Sequence, residues 1–449
     1  MAEPFSFYKT NNGLKFFLVN CGSGLTHLII FPDKTVMLFD CNLVNDSEKP
    51  ERGKDKILAL FSEVIPYKID SNHKYVQAID IFVNSHRDTD HLQGLKDVNE
   101  HFPIQSIWDS GQTGANVDNP DYHYYMQLRR CLMAKNKDNV LVPVPSKSVF
   151  QKYGNADVYV LSSSKDFVNE SEAALMEAVD KQQHTNCIVL LLCYASRKIL
   201  LTGDSDWKAW KESIVPNFKH ASVNFMNTDI LIASHHGSRS FFTGMGEINE
   251  EKYPEKTYTE SIRLIKPKIT LISCAEYAYG GYHLPNEEAM KLYKKHTSYG
   301  QVYTTNERGT FCGLIDANGN FSVTPWRFRN VYGQAGKRIV VFCKIDEIGN
   351  IISGESVKVG AFKLKFNVVG LSGIMNVADK PVVIWEVCNA GQNIHDDHHE
   401  IYYKDKSEND GNFYFSRKLT YKGTHLLRCT VINKRKKFVE TVVFVIHGV

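Results

Sequence analysis

The segment 84–95, N-S-H-R-D-T-D-H-L-Q-G-L, constrains this chain more than any other. Four side chains able to bind a metal, His86, Asp88, Asp90 and His91, fall within six residues, directly after the largely apolar run 78–83, which reads as a buried strand. Side chains at one-residue intervals on an extended strand point to alternate faces, so only a tight turn aims such a set at one or two ions. An isolated H-x-D is a polar loop with solvated charges. H-x-D-x-D-H after a strand reads as a metal site, to be supported by what else the chain brings to it.

Five further strand-like runs, with four ligand-bearing ends, supply that context. The run 35–39 ends at Asp40, and the pair 187–192 and 198–201 leads into Thr202-Gly203-Asp204. The run 229–233 feeds Ser234-His235-His236-Gly237-Ser238, and 268–273 is followed by Gly281-Tyr282-His283-Leu284-Pro285. Five strand ends thus deliver Asp, His or both. Neither a Gly-x-Ser-x-Gly elbow nor a Gly-x-x-x-x-Gly-Lys phosphate loop occurs, which leaves nucleophilic-triad and P-loop chemistry without a carrier.

In order and type these motifs resemble the metallo-β-lactamase superfamily. L-L-T-G-D at 200–204, H-H-G-S at 235–238, the His-x-Pro stretch 279–285 and V-Y-T-T-N-E-R-G-T at 302–310 are together similar to the hydrolase domain of ComEC-type DNA-uptake proteins. The resemblance covers roughly residues 14–325. It implies an αββα sandwich over 1–328 and metal-dependent hydrolysis, in which an ion activates water and takes up charge on a carbonyl or phosphoryl oxygen. It assigns His86 and Asp88 to one metal position, Asp90 and His91 to the other, and Asp204 to the bridge between them. One of His235 and His236 completes the second position; with His235 as the ligand, His236 or His283 protonates the leaving oxygen, and Asp90 is counted among the catalytic residues. Asp40 is expected to orient a ligand histidine rather than bind metal.

Two departures bear on mechanism. Asp88 stands where most of the superfamily has His, a harder donor that broadens the expected cofactor to zinc or manganese, as one or two ions. The separate His that many members place before the T-G-D Asp has no clear counterpart: His123 and His184 lie in the interval, but neither follows a strand-like run, and both read as surface residues.

The length of 449 residues is enough for two or three domains, and 43% hydrophobic with 23% charged residues is ordinary globular composition. The longest apolar run, 188–193, is far short of a membrane span, and the N-terminus lacks a signal pattern, so a cytoplasmic protein without a membrane partner is expected. Ten cysteines without C-x-x-C read as reduced core residues. A net charge of +3 neither demands nor excludes nucleic acid.

From about Arg338 the chain becomes strand-like throughout. Seven segments, 339–345, 361–369, 382–388, 400–403, 412–419, 425–432 and 438–446, separated by Gly, Asn and Asp turns, give an all-β domain of immunoglobulin-like size over 335–449. Asp396-Asp397-His398-His399 reads as an exposed polar loop. Trp385-Glu386-Val387-Cys388-Asn389-Ala390-Gly391 and the stretch 419–429 resemble the signatures of a sensor domain associated with adenylyl/guanylyl cyclases and SMODS nucleotidyltransferases. That resemblance implies a nucleotide second messenger as ligand, with Lys422 and His425 as phosphate contacts; Trp385 and Tyr421 read equally as core aromatics or base-stacking platforms. The combined expectation is a phosphodiesterase or nuclease acting on DNA or RNA in bacterial defence and gated by a nucleotide signal. The rivals are a phosphodiesterase that degrades the signal itself and a non-catalytic metal-containing binding module; self-association into a homo-oligomer is left open.

Overall fold

The computed structural model describes residues 13–44, 53–66, 68–69, 75–111, 117–163, 183–221, 224–244, 246–275, 283–326, 339–345, 349–360, 363–369, 382–391, 398–404, 413–420, 422–433 and 438–449. By its contacts the chain divides into two compact units, one formed by the described parts of Thr10–Val44 and Ala78–Trp326, the other by those of Asn45–Gln77 and Arg327–Val449.

The strands, numbered along the chain, begin with β1 (Leu14–Leu18), β2 (His27–Ile30) and β3 (Val36–Phe39); β4 (Lys68–Ile69) and β5 (Tyr75–Val76) form a short antiparallel pair in the other unit. The first unit continues with β6 (Ile79–Val83), β7 (Ile104–Trp108), β8 (Val140–Leu141), β9 (Gln151–Tyr153), β10 (Ala156–Ser162), β11 (Val189–Tyr194) and β12 (Arg197–Leu201). It closes with β13 (Ile230–Ile232), β14 (Ile269–Ile272), β15 (Val302–Thr304), β16 (Phe311–Ile315) and β17 (Phe321–Pro325).

These form two mixed sheets of an α/β unit, ordered β17-β16-β1-β2-β3-β6-β7-β8 and β15-β14-β13-β12-β11-β10-β9. One apolar core joins them: Phe16, Phe39 and Val83 of the first sheet pack in the same cluster as Leu190, Leu192, Leu201 and Ile232 of the second. The odd-numbered neighbours Val189 and Leu191 turn to a second cluster with Trp210, Phe218 and Tyr293 from the helical segments. Both faces of β11 are therefore covered, and that is why its sequence is an unbroken apolar run rather than an alternating one. On the first sheet, Phe82 meets Tyr125 of the helix Pro120–Lys135 edge to face.

Each sheet contains a parallel half, β3-β6-β7-β8 in one and β12-β13-β14-β15 in the other. The loops that leave the carboxyl ends of parallel strands collect at one edge, the usual place for a ligand in such sheets. Here the two edges are tied together: Ile188 N–H donates to the Ser85 carbonyl at 2.9 Å, and the Ser273 hydroxyl donates to the Gly24 carbonyl at 2.7 Å.

The second unit holds β18 (Val340–Ile345), β19 (Gly349–Ile351), β20 (Glu355–Val357), β21 (Lys363–Val369), β22 (Val382–Gly391), β23 (His398–Lys404), β24 (Phe413–Lys418), β25 (Gly423–Asn433) and β26 (Phe438–Gly448). They make a sheet ordered β19-β18-β21-β24 and another ordered β20-β26-β25-β22-β23. In β21, Leu364, Phe366 and Val368 are buried while Lys363 and Lys365 are exposed, the period-2 pattern of a strand with one face on a core. Trp385 is fully buried and stacks on Phe415, so it is a core aromatic. The strands β19 and β20, absent from the sequence reading, are three residues each, too short to leave a periodic signal. The β20–β26 pairing is parallel. Tyr421, Asp396 and Asp397 lie outside the described residues.

The domain border drawn from sequence, at residue 328, runs differently in one respect. The helix Lys54–Val64 packs against β22 and β25 of the C-terminal unit, and its Ile57, Leu58, Leu60, Phe61 and Val64 are buried. Among the described residues no helix is long and apolar enough to cross a membrane. Phe61→Ala should remove about 3–5 kcal/mol from the C-terminal unit. Hydrogen exchange should then quicken in β22 and β25 and leave β11 and β12 protected.

Candidate metal centre

The site is assembled where β3, β6, β12 and β13 end. Asp40 follows β3 in a left-handed conformation, φ 58°, which turns its carboxylate back under the next strand. Its side chain is fully buried and takes three hydrogen bonds: Ser85 N–H to Oδ1 at 2.7 Å, Ser85 O–H to Oδ2 at 2.6 Å, and His91 Nδ1 to Oδ2 at 2.7 Å. Ser85 Oγ in turn lies 3.0 Å from His86 Nδ1. Because that hydroxyl already donates to Asp40, it accepts from His86, and in their neutral form both imidazoles present an unprotonated Nε2.

The loop is clamped from behind. Arg87, in the middle of the motif, is buried, with Nη2 2.8 Å from Asp109 Oδ2 and 3.0 Å from Oδ1. Arg129 also pairs with Asp109, and the Arg87 guanidinium lies 5.7 Å over the Tyr125 ring. The two arginines hold the Asp109 carboxyl below its usual value although burial opposes this. The side chain between His86 and Asp88 therefore anchors the loop to the strand end after β7.

From the second sheet, β12 delivers Asp204. Gly203 before it adopts φ +50°, and a Cβ there would lie 2.6 Å from Cys187 Sγ and 2.8 Å from Ser85 Cβ, so the close approach of the two loops requires glycine. Asp204 N–H donates to Cys187 Sγ at 3.3 Å. Beyond β13, His235 and His236 both have left-handed backbones, φ 47° and 53°, a conformation costing about 1–2 kcal/mol per non-glycine residue. That turn aims both rings at Asp204. His236 Nδ1 donates to the Ser273 carbonyl at 3.0 Å, which leaves its Nε2 with a lone pair.

Two ligand sets share Asp204. His86 Nε2 and His184 Nε2 each lie 3.4 Å from Asp88 Oδ2, and His86 Nε2 is 3.8 Å from Asp204 Oδ2. On the other side His91 Nε2 is 3.3 Å from Asp204 Oδ1, and His236 Nε2 is 3.4 Å from Asp90 Oδ2 and 3.8 Å from Asp204 Oδ2. Two atoms held at about 2.0–2.1 Å by one tetrahedral ion stand about 3.3 Å apart, so these separations are close to those of a coordinated set. Each of the groups His86-His91-Asp204, His86-Asp88-His184, Asp90-His91-His236 and His184-Asp204-His235 has its ligand atoms within 4.8 Å of one another.

The donor atoms also lack other partners. His86 Nε2, His91 Nε2, His236 Nε2 and Asp204 Oδ1 are buried and make no hydrogen bond. Each such atom costs about 1–3 kcal/mol when left unmatched, and a cation at the centre satisfies all four. The electrostatics agree. Burial lowers His91 and His236, but Asp204 with Asp40 and Asp90 outweighs it, and both histidines rise above their ordinary value. Burial raises Asp204 and Asp90, yet the facing histidines win, taking Asp204 well below the carboxylate range and Asp90 to about 2. The carboxylates gather positive charge, and His86, Asp88, Asp90, His91, His184, Asp204 and His236 fit a pair of divalent ions.

All of the metal residues expected from sequence come together. The structure adds two details. Of His235 and His236, either of which could complete the second position, His236 groups with Asp90 and His91, whereas His235 groups with His184 and Asp204. His184, read from sequence as a surface residue, joins the first set beside Asp88, and Gln183 Nε2 donates to both Asp88 oxygens at 2.7 Å. It lies before β11, not after it. Because β11 runs antiparallel to β12, the start of one abuts the end of the other, and a search for ligands after strands passes over it. His123 and His283 are exposed and belong to no such group.

A cavity of about 500 Å³ opens on the centre and is lined by Ser23, Asp90, His235, His236, Arg239 and Ser240 among others. In the C-terminal unit Lys422 is exposed, whereas His425 is buried and lines a cavity of about 50 Å³ with Arg417 and Lys418. No disulfide joins the described cysteines, most of which are buried.

No family model matches this chain, and no curated protein matches it either.

Metal analysis of the purified protein should return close to two divalent ions per chain. Asp40→Asn should weaken metal affinity about 10–100-fold while the fold persists, as measured by competition with a chelator.

Proposed function

We propose that the chain is a metal-dependent phosphodiesterase of the metallo-β-lactamase, ComEC-like type, acting as a nuclease on DNA or RNA. The observation that carries this reading is the pair of ligand sets meeting at Asp204, with unmatched Nε2 atoms aimed at a common centre. Each set offers two imidazole nitrogens and two carboxylate oxygens once Asp204 is shared, a donor mixture suited to zinc or manganese. Ions bound there supply Lewis-acid polarisation of a phosphoryl oxygen and activation of water.

The chain's own residues do the rest. Asp40 and Ser85 fix the ring orientation and tautomer of His91 and His86, and the Ser273 carbonyl does so for His236. His235 stands at the cavity wall with its Nδ1 2.9 Å from Ser240 Oγ. Burial, with His184 and His236 nearby, keeps its value down at about 4 despite Asp204. Fold alone does not select a substrate. Phosphodiesters are favoured because the cavity beside the centre carries the hydroxyls of Ser23 and Thr243 and, among its described lining, a single carboxylate, Asp90.

The C-terminal unit is proposed to read a nucleotide signal, with Lys422 and His425 as phosphate contacts. Support for coupling comes from connectivity: the stretch between Asp40 and β6, which carries the metal loop, includes the helix Lys54–Val64 packed on β22 and β25.

Purified protein with manganese or zinc should cut plasmid, single-stranded DNA or RNA, and Asp204→Asn should lower the rate at least about 100-fold, in line with loss of a group that holds both ions. Cleavage of cyclic dinucleotides with nucleic acids left intact would shift the reading to a signal-degrading phosphodiesterase. Full activity of Asp204→Asn would end the hydrolase reading.

A further inference from the structure

The cavity beside the metal centre has a chemical polarity that the centre does not need. Its wall beyond His236 is the turn Ser238-Arg239-Ser240 with Thr243. Ser238 Oγ accepts the Ser240 N–H at 3.2 Å. Ser240 Oγ lies 2.9 Å from His235 Nδ1. The Ser238 oxygen is thus an acceptor toward the protein, and its hydroxyl proton remains to be donated into the cavity, where the Ser240 hydroxyl also lies.

Arg239 is exposed and lines the same wall, and its guanidinium makes no hydrogen bond or ion pair among the described residues. The carboxylate of the wall, Asp90, is engaged by His236 on the metal side. A wall that carries serine hydroxyls and a guanidinium without a partner among the described residues is complementary to an anion, and a guanidinium suits phosphate geometry better than an ammonium does. The cavity's volume of about 500 Å³ exceeds what a lone phosphate fills and is within the range of pockets for drug-sized ligands.

Resting on the phosphodiesterase reading, we propose that Arg239, Ser238 and Ser240 form a subsite for a second phosphate of the substrate, adjacent to the phosphodiester held at the metal centre. The preferred substrate is then a chain with at least two phosphates, and Arg239 sets specificity without taking part in the chemical step.

The test compares wild type, Arg239→Gln and Arg239→Lys, all metal-loaded, on two probes: bis(4-nitrophenyl) phosphate, with one phosphate, and 5′-phosphorylated thymidine dinucleotide, with two. Arg239→Gln should raise KM for the dinucleotide about 10–100-fold, the loss of a charge-assisted contact, with its kcat, the kinetics on the aryl diester and the metal content unchanged. Arg239→Lys should recover part of the loss. An equal effect on both probes, or none on either, overturns the subsite. If wild type turns over neither probe, the phosphodiesterase reading fails, and calorimetric binding of the dinucleotide still decides the subsite: weaker binding in Arg239→Gln supports it, and equal binding overturns it.

Discussion

The buried carboxylate of Asp40 is the interaction on which the centre depends. It closes the end of β3 against the loop after β6, and by binding Ser85 twice and His91 once it fixes a backbone position and two imidazole orientations together. An uncompensated charge at that depth would be costly, and three donors make it affordable only in this geometry. The second sheet meets the first at the same residue: Gly203 lies against Ser85, and Ile188 donates to the Ser85 carbonyl, so the segment that carries Asp204 rests on the residue that Asp40 holds.

What the sequence made legible follows from this construction. Strands buried on both faces leave continuous apolar runs, and a parallel sheet exposes its ligands directly after them, so His86, Asp88, Asp90, His91 and Asp204 could be found by reading forward from each run. His184 broke that rule because it serves from the leading end of an antiparallel strand. Which of His235 and His236 meets Asp90 depends on two successive left-handed residues, and side-chain identity carries no trace of that turn. Arg87 was passed over for another reason. A charged residue in a polar loop reads as solvated, and only the burial of Asp109 and Arg129 around it reveals an anchor.

The C-terminal unit illustrates a different limit. Alternation located its longer strands, and the burial of Trp385 decided between the two roles open to that ring. The helix Lys54–Val64, more than two hundred residues from β18, could be assigned to this unit only by contact, since an apolar helical face is silent about its partner.

That helix imposes an order on the protein's birth. On the ribosome it is complete long before residues 382–433, which form β22 and β25, exist. At about 5–20 residues per second, the wait is on the order of 15–60 seconds. Throughout it the buried positions of the helix, Phe61 among them, are without their eventual cover, and a nascent chain carrying every metal ligand is still an unfinished molecule at the segment between Asp40 and β6.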